Sequence, residues 1–161
     1  MDKRVELQQL KRLIDDYQRD GQRVVWTNGC FDILHVGHVT YLEEARSLGD
    51  ILVLGLNSDR SVRRNKGEFR PIFSEEQRAK VLGALLWIDH IVIFDDPSPI
   101  ELLRFLKPDI YAKGGDYTID TIDQDERHVV EGYGGEIKIL PIVDGVSTTE
   151  IADKISRITS L

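Results

Sequence analysis

The stretch TNGCFDILHVGH, residues 27–38, joins an apolar run of strand length, RVVWT (23–27), to a helical pattern that opens near Val36. That pattern sets Val39, Leu42, Ala45 and Leu48 on one side and stops at Gly49. A polar, glycine-turned loop between a strand and a helix predicts an α/β unit, and the same grammar repeats along the chain. Runs at 51–56 (ILVLGL), 88–94 (IDHIVIF), 109–113 (DIYAK) and 136–140 (EIKIL) are short and rich in β-branched residues. Helical patterns lie among them. One opens at Ser74 in a capping-box arrangement and carries Leu82, Leu85 and Leu86; one follows Pro97 and Pro99 with Ile100, Leu103 and Leu106; one starts at 147–149 with Ile151, Ile155 and Ile158. A leading helix at about 3–19 shows Leu10, Leu13, Ile14 and Tyr17. Strands that read as nearly all apolar and alternate with helices predict a Rossmann-like, doubly wound α/β fold. The expectation is one domain spanning 1–161, with a five-stranded parallel sheet and helices on both faces. Ligands of such sheets sit beyond the carboxyl ends of the strands where the winding reverses, so residues 27–38 hold that position if the first strand is central. Residues 114–124 (GGDYTIDTIDQ) read as a loop suited to act as a flap.

Composition narrows the function classes. The formal charge of -7 argues against broad nucleic-acid binding, which depends on neutralising many phosphates. No apolar stretch approaches the roughly 20 residues that span a bilayer, so no membrane partner is expected. Cys30 is the one cysteine, which excludes an internal disulfide. With no leader pattern at the start, it points to a reducing cytoplasm.

Neither G-x-G-x-x-G nor G-x-x-x-x-G-K-[ST] follows any expected strand, so the two familiar phosphate loops are missing. A different anion device is present. With a helix starting near Val36, His35 and His38 flank its first turn, beside free backbone N–H groups and the positive end of the helix dipole. Gly37 lets an anion approach the backbone, and imidazoles add donors without a permanent charge. Incidental capping and a two-histidine metal site are the alternatives. The second weakens because only His90 and His128 remain elsewhere and no cysteine cluster completes a zinc sphere. Further along, Arg60, Arg63, Arg64, Lys66 and Arg70 outnumber Asp59 and Glu68, a basic patch suited to pyrophosphate or a sugar phosphate, or simply a solvated loop. DGVSTTEI (144–151) puts hydroxyls at a helix start, which serves plain capping and anion binding alike. KGGDY (113–117) combines close backbone approach with a cation, a carboxylate and an aromatic edge, or makes a turn.

Taken in order, GCFDILHVGH, NSDRSVRRNKGEFRP, KGGDY and DGVSTTEI resemble the H-x-G-H nucleotidyltransferase superfamily, and within it the adenylyltransferases that make ADP-heptose from heptose 1-phosphate. These motifs cover most of the chain, without the sugar-kinase domain often fused ahead of them, so the resemblance is to the stand-alone form. It implies catalytic roles for His35, His38 and Lys66. It implies nucleotide contacts from Asn28, Gly29, Cys30, Phe31, Gly37, Lys113, Gly114, Asp116, Ser147, Thr148 and Thr149. Asp32, Arg63 and Arg78 are expected on the substrate side, Asp32 alternatively as a turn carboxylate and Arg78 alternatively as a surface ion-pair partner.

The implied reaction is in-line attack of a sugar 1-phosphate oxygen on the α-phosphorus of ATP, with Mg2+ bridging phosphates and few protein ligands to it. The nucleophile is already an anion, so no strong general base is required. A homodimer is implied as well. Related cytidylyltransferases acting on glycerol phosphate or similar alcohols, and adenylyltransferases acting on flavin mononucleotide, are the alternatives. Ile142, where those cytidylyltransferases commonly carry arginine, and Tyr117, where they tend to carry tryptophan, favour the sugar-phosphate reading. A nucleotide-binding module without transfer activity remains as the non-enzyme alternative, and an RNA-binding protein is disfavoured by the acidic balance.

Overall fold

A computed structural model describes residues 2–141, 143 and 145–159. Ile142, and with it the substitution read at that position, lies outside the described residues.

Side chains in a strand alternate faces, and the apolar runs use both. In β1 (Val24–Gly29), Val24 and Trp26 enter one core and Val25 the other; in β2 (Ile51–Asn57), Ile51 and Val53 join the first, and Leu52, Leu54 and Leu56 the second. β3 (His90–Phe94), β4 (Ile110–Gly114) and β5 (Glu136–Leu140) complete a five-stranded, wholly parallel sheet in the order β3-β2-β1-β4-β5. Between strands run α2 (Val36–Ser47), α3 (Asp59–Lys66), α4 (Glu75–Gly83), α5 (Ile100–Leu106) and α6 (Gln124–Gly132), with α1 (Leu7–Arg19) ahead of β1 and α7 (Thr148–Thr159) after β5. Residues of α1, α5 and α6 close the Trp26 side, and residues of α2 and α4 close the Leu54 side. The doubly wound expectation holds, with β1 central.

The winding reverses between β1 and β4, and there the sheet is weakest. Six residue pairs register β1 with β2, but only Val25↔Ile110 and Trp26↔Tyr111 register β1 with β4. Past those pairs the strands part, and Tyr41 of α2 fills the gap. Its hydroxyl donates to Ala112 O (2.9 Å) and shares a 2.6 Å hydrogen bond with Thr27 Oγ1. The crevice of the doubly wound fold is thus opened by strand divergence and propped by one tyrosine.

Four details depart from the pattern read in the sequence. The leading helix starts at Leu7 rather than near residue 3, because Lys3 and Val5 instead bond to Ile91 and cover the outer edge of β3. Ser74 does form a capping box with Gln77, but α4 ends at Gly83 and leaves Leu86 exposed. Residues 59–66 are helical, capped by Ser58, rather than a plain loop. α6 was not expected either, although a parallel β4–β5 pair requires a crossover. Its N-cap Asp123 and the buried Ile122 pin the end of the segment read as a flap.

Candidate active site

Residues 28–38 bend sharply to bring both histidines to the crevice. Gly29 permits the bend: a Cβ there would meet the Phe31 ring at 2.9 Å. Phe31 itself has φ +45°, a conformation costly for a residue with a side chain, and its buried ring lies 5.2 Å from that of His38. His35 then caps α2, its Nδ1 accepting the Gly37 N–H at 3.1 Å. That bond fixes the neutral tautomer with the proton on Nε2, a donor free for a ligand. A side chain at Gly37 would press on the His35 ring at 3.0 Å, so the cap and the bare backbone are one requirement.

The two imidazoles stack, ring centroids 3.8 Å apart at 25°. Two cations would not share that space. Burial pushes the His38 imidazole down to about 4, helped by neighbouring His35 and Lys66, while the Ile33 backbone acts the other way. Burial also lowers the His35 value. His38 Nδ1 is sealed from solvent without a hydrogen bond of ordinary geometry. Near neutral pH the pair therefore offers N–H donors to an anion without bringing fixed charge of its own. Incidental capping accounts for His35 alone. Among the described residues no three His, Cys, Asp or Glu gather to hold a metal ion, so a zinc-type reading of the pair lacks its further ligands.

The cleft around them encloses about 400 Å³ and is lined by most of the first loop, by Tyr41, Lys66, Arg70 and Gly114, and by 146–149. Asn28, Gly29, Cys30, Phe31, Asp32, His35, Gly37, His38, Lys66, Gly114, Ser147, Thr148 and Thr149 are thus brought together here. Lys66, the last residue of α3, makes no ion pair among the described residues and lies close enough to act on His38 and Cys30. Burial holds the Cys30 thiol above its ordinary range, so it stays a neutral wall of the cleft. Ser147 Oγ accepts the Glu150 N–H at 3.1 Å, so it caps α7 while facing the cleft.

Four expected residues stand elsewhere. Strand alternation sends Lys113 through to the opposite face from Gly114, where its ammonium pairs with Glu126 (2.5 Å) and lies over the Tyr111 and Tyr117 rings. Asp116 is exposed outside the cleft lining, as is Arg63. Arg78 is neither a surface residue nor open to substrate. Its guanidinium is fully buried and donates to Phe73 O, Cys30 O, Asn57 O and Asp59 Oδ1, tying the first loop to the ends of β2 and the 67–73 segment. That makes it a positioning residue. The basic patch is also thinner than its sequence suggests, since Arg60 and Arg64 both pair with Asp95.

Asp32 takes the role of turn carboxylate. It accepts from the Ile72 and Phe73 amides at 2.8–3.0 Å and from Arg70 Nη1 at 2.9 Å. Burial pushes its carboxyl up, but the two amides and Arg70 together outweigh that and hold it below the usual carboxylate range. Sequence reasoning missed Tyr41 and passed over Arg70 as one cation among five. Position 41 follows His38 by three, within one helical turn on the same face, and was the signal available for Tyr41.

Comparison with known proteins agrees with the fold. The cytidylyltransferase-like family model matches residues 26–154. The bifunctional protein HldE of Syntrophotalea carbinolica is 52% identical over 155 residues, 96% of this chain and 31% of that protein. The HldE of Geobacter sulfurreducens is 54% identical over 148 residues, covering 92% and 30%. The chain thus spans about a third of the length of these relatives. Among solved structures, a lipopolysaccharide core biosynthesis protein from Thermoplasma volcanium is 34% identical, with TM-score 0.61 and coverage of 76% of this chain and 98% of that one. A pantoate-beta-alanine ligase from Francisella tularensis, at 14% identity and TM-score 0.58 over 98% of this chain and 79% of that one, shares the fold alone. With the paired imidazoles at the switch point and a matched segment that runs from β1 into α7, the chain belongs to the cytidylyltransferase-like family.

Proposed function

We propose that the chain is an adenylyltransferase that moves AMP from ATP to a sugar 1-phosphate, D-glycero-D-manno-heptose 1-phosphate, releasing pyrophosphate. The observation that carries the reading is the single cleft shared by stacked His35 and His38, Lys66 and the hydroxyls at the start of α7. The choice of sugar is supported by the four motifs held in register, by the HldE relatives and by the lipopolysaccharide core name of the Thermoplasma volcanium protein.

In the reaction, a phosphate oxygen of the sugar phosphate forms a bond to the α-phosphorus as the bond to the β-phosphate bridging oxygen breaks. ATP would enter as its magnesium complex, the cation supplying countercharge to the phosphates. Near pH 7 the neutral imidazoles donate to the α-phosphate oxygens, Lys66 meets charge on the triphosphate, and Ser147, Thr148 and nearby amides hold its tail. No group has to remove a proton from the nucleophile. Dependence on ATP goes with a cytoplasmic enzyme. The outward Ile155 and Ile158 of α7, a helix with no buried residue, support a homodimer.

Pyrophosphate release tests the reading directly, with ATP, CTP or GTP each offered against heptose 1-phosphate, a hexose 1-phosphate and glycerol 3-phosphate. The expected result is turnover highest with ATP and the heptose. Preference for CTP and glycerol 3-phosphate would replace it with the alcohol-phosphate reading. ATP binding with no release from any pair would indicate a module without transfer activity.

A further inference from the structure

Adenylyl transfer brings a second anion, the acceptor's phosphomonoester, against the α-phosphate, and its charge needs its own counterpart. A cationic side chain lining the cleft would supply that counterpart. Most nearby cations are already engaged: Arg60 and Arg64 by Asp95, Lys113 by Glu126, and Arg78 by three carbonyls and Asp59. Among the described residues only Lys66 and Arg70 are cations that line the cleft.

Arg70 is built differently from a surface arginine. Its side chain is 19% exposed and is held at one edge by Asp32, itself 5% exposed, through a single 2.9 Å hydrogen bond from Nη1. Asp32 is in turn fixed by two backbone amides of the same segment, so the carboxylate is spent on aiming the guanidinium rather than on a ligand. Among the described residues the backbone N–H of Arg70 donates to Gly67 O, and the other guanidinium N–H groups have no partner. A planar fork clamped along one edge and open along the other suits the paired oxygens of a phosphomonoester. Arg70 and the α7 flank also reach the cleft at different points of the first loop. The α7 flank meets the loop at Gly37, where Val146 O lies 3.7 Å from the position of a Cβ. Arg70 meets the same loop five residues earlier, at Asp32.

We infer that Arg70, aimed by Asp32, grips the phosphate of the acceptor and sets its preference for a phosphomonoester; this rests on the transfer reaction proposed above. The test is steady-state kinetics of Arg70→Ala and Arg70→Lys in the full chain, varying each substrate against saturating amounts of the other, with ATP affinity measured separately by calorimetry. Losing a charge-assisted contact raises KM for the acceptor on the order of 10- to 100-fold, while KM and Kd for ATP stay within about twofold. Arg70→Lys recovers part of the loss. A rise in KM for ATP instead, an equal rise for both substrates, or no change for the acceptor overturns the inference. Thermal melting reports folding, and if the alanine variant is unstable the lysine and glutamine variants carry the same comparison. Wild-type protein that uses another phosphomonoester would correct the proposed sugar and leave this test intact. Wild-type protein with no transfer to any acceptor would remove both.

Discussion

The loops after β1 and β4 leave neighbouring strands at the same end of the sheet, and they treat their polar side chains in opposite ways. At the end of β1 Asn28 already lines the crevice; the chain then bends at Gly29, strains at Phe31 and brings a cysteine and two histidines to it. At the end of β4, among the described residues, only Gly114 reaches the crevice, where a Cβ would meet the Tyr41 ring at 2.8 Å, and Lys113 is turned away to Glu126. Both segments carry glycines, a cation or proton-bearing base, and an aromatic residue. What separates them is strand parity: a residue still within the ladder has its direction set by alternation, while one beyond it is free to be aimed by a loop. The two histidines thus belong to the segment whose backbone has left the sheet.

That contrast yields predictions of falling size. His38→Ala lowers kcat on the order of 100-fold or more while the protein still folds, because an oriented donor at the transferring phosphate is lost; wild-type turnover would take His38 out of the mechanism. Lys66→Ala raises KM for ATP about tenfold with a smaller change in kcat, read from initial rates over an ATP series. At the end of β4 the pattern inverts. Lys113→Met changes kcat/KM less than threefold but destabilises the fold by about 1–3 kcal/mol in urea unfolding, because buried Glu126 keeps only the Tyr111 hydroxyl as a donor. A large loss of kcat/KM at unchanged stability would give Lys113 a place at the ligand after all.

The smallest effect concerns acid. Well above pH 6.5 His38 is neutral in both folded and unfolded chains, and its contribution to stability is intact. As pH falls from 6.5 towards 4, the unfolded chain takes up a proton that the folded site resists, and stability is lost. His35 and His90, lowered by burial, add in the same direction. His38→Gln should flatten part of this slope in unfolding curves taken at intervals between pH 7 and 4.5.

The architecture could be read from residues 23–56 and their repetition, because apolar runs of strand length and capped helical patterns are local signals. The helices at 59–66 and 124–132 escaped that reading. One is dense in charge and the other begins inside a polar stretch, so neither shows an apolar periodicity strong enough to register. The histidine pair and the α7 hydroxyls were legible because backbone position alone aims them. Lys113, Arg78 and Arg70 were not, since their direction depends on partners distant in sequence: Glu126, the carbonyls of Cys30 and Asn57, and Asp32.

The central claim is that the stacked imidazoles meet the phosphates of ATP. Nitrogen-detected NMR of the histidine rings, titrated with pH in the absence and presence of a non-hydrolysable ATP analogue and magnesium, tests it most directly. Contact with phosphate should shift the His35 and His38 ring resonances and lift the His38 value from about 4 towards neutrality, because a nearby anion favours the charged ring. A saturating analogue that leaves both rings and their titration unmoved would contradict it.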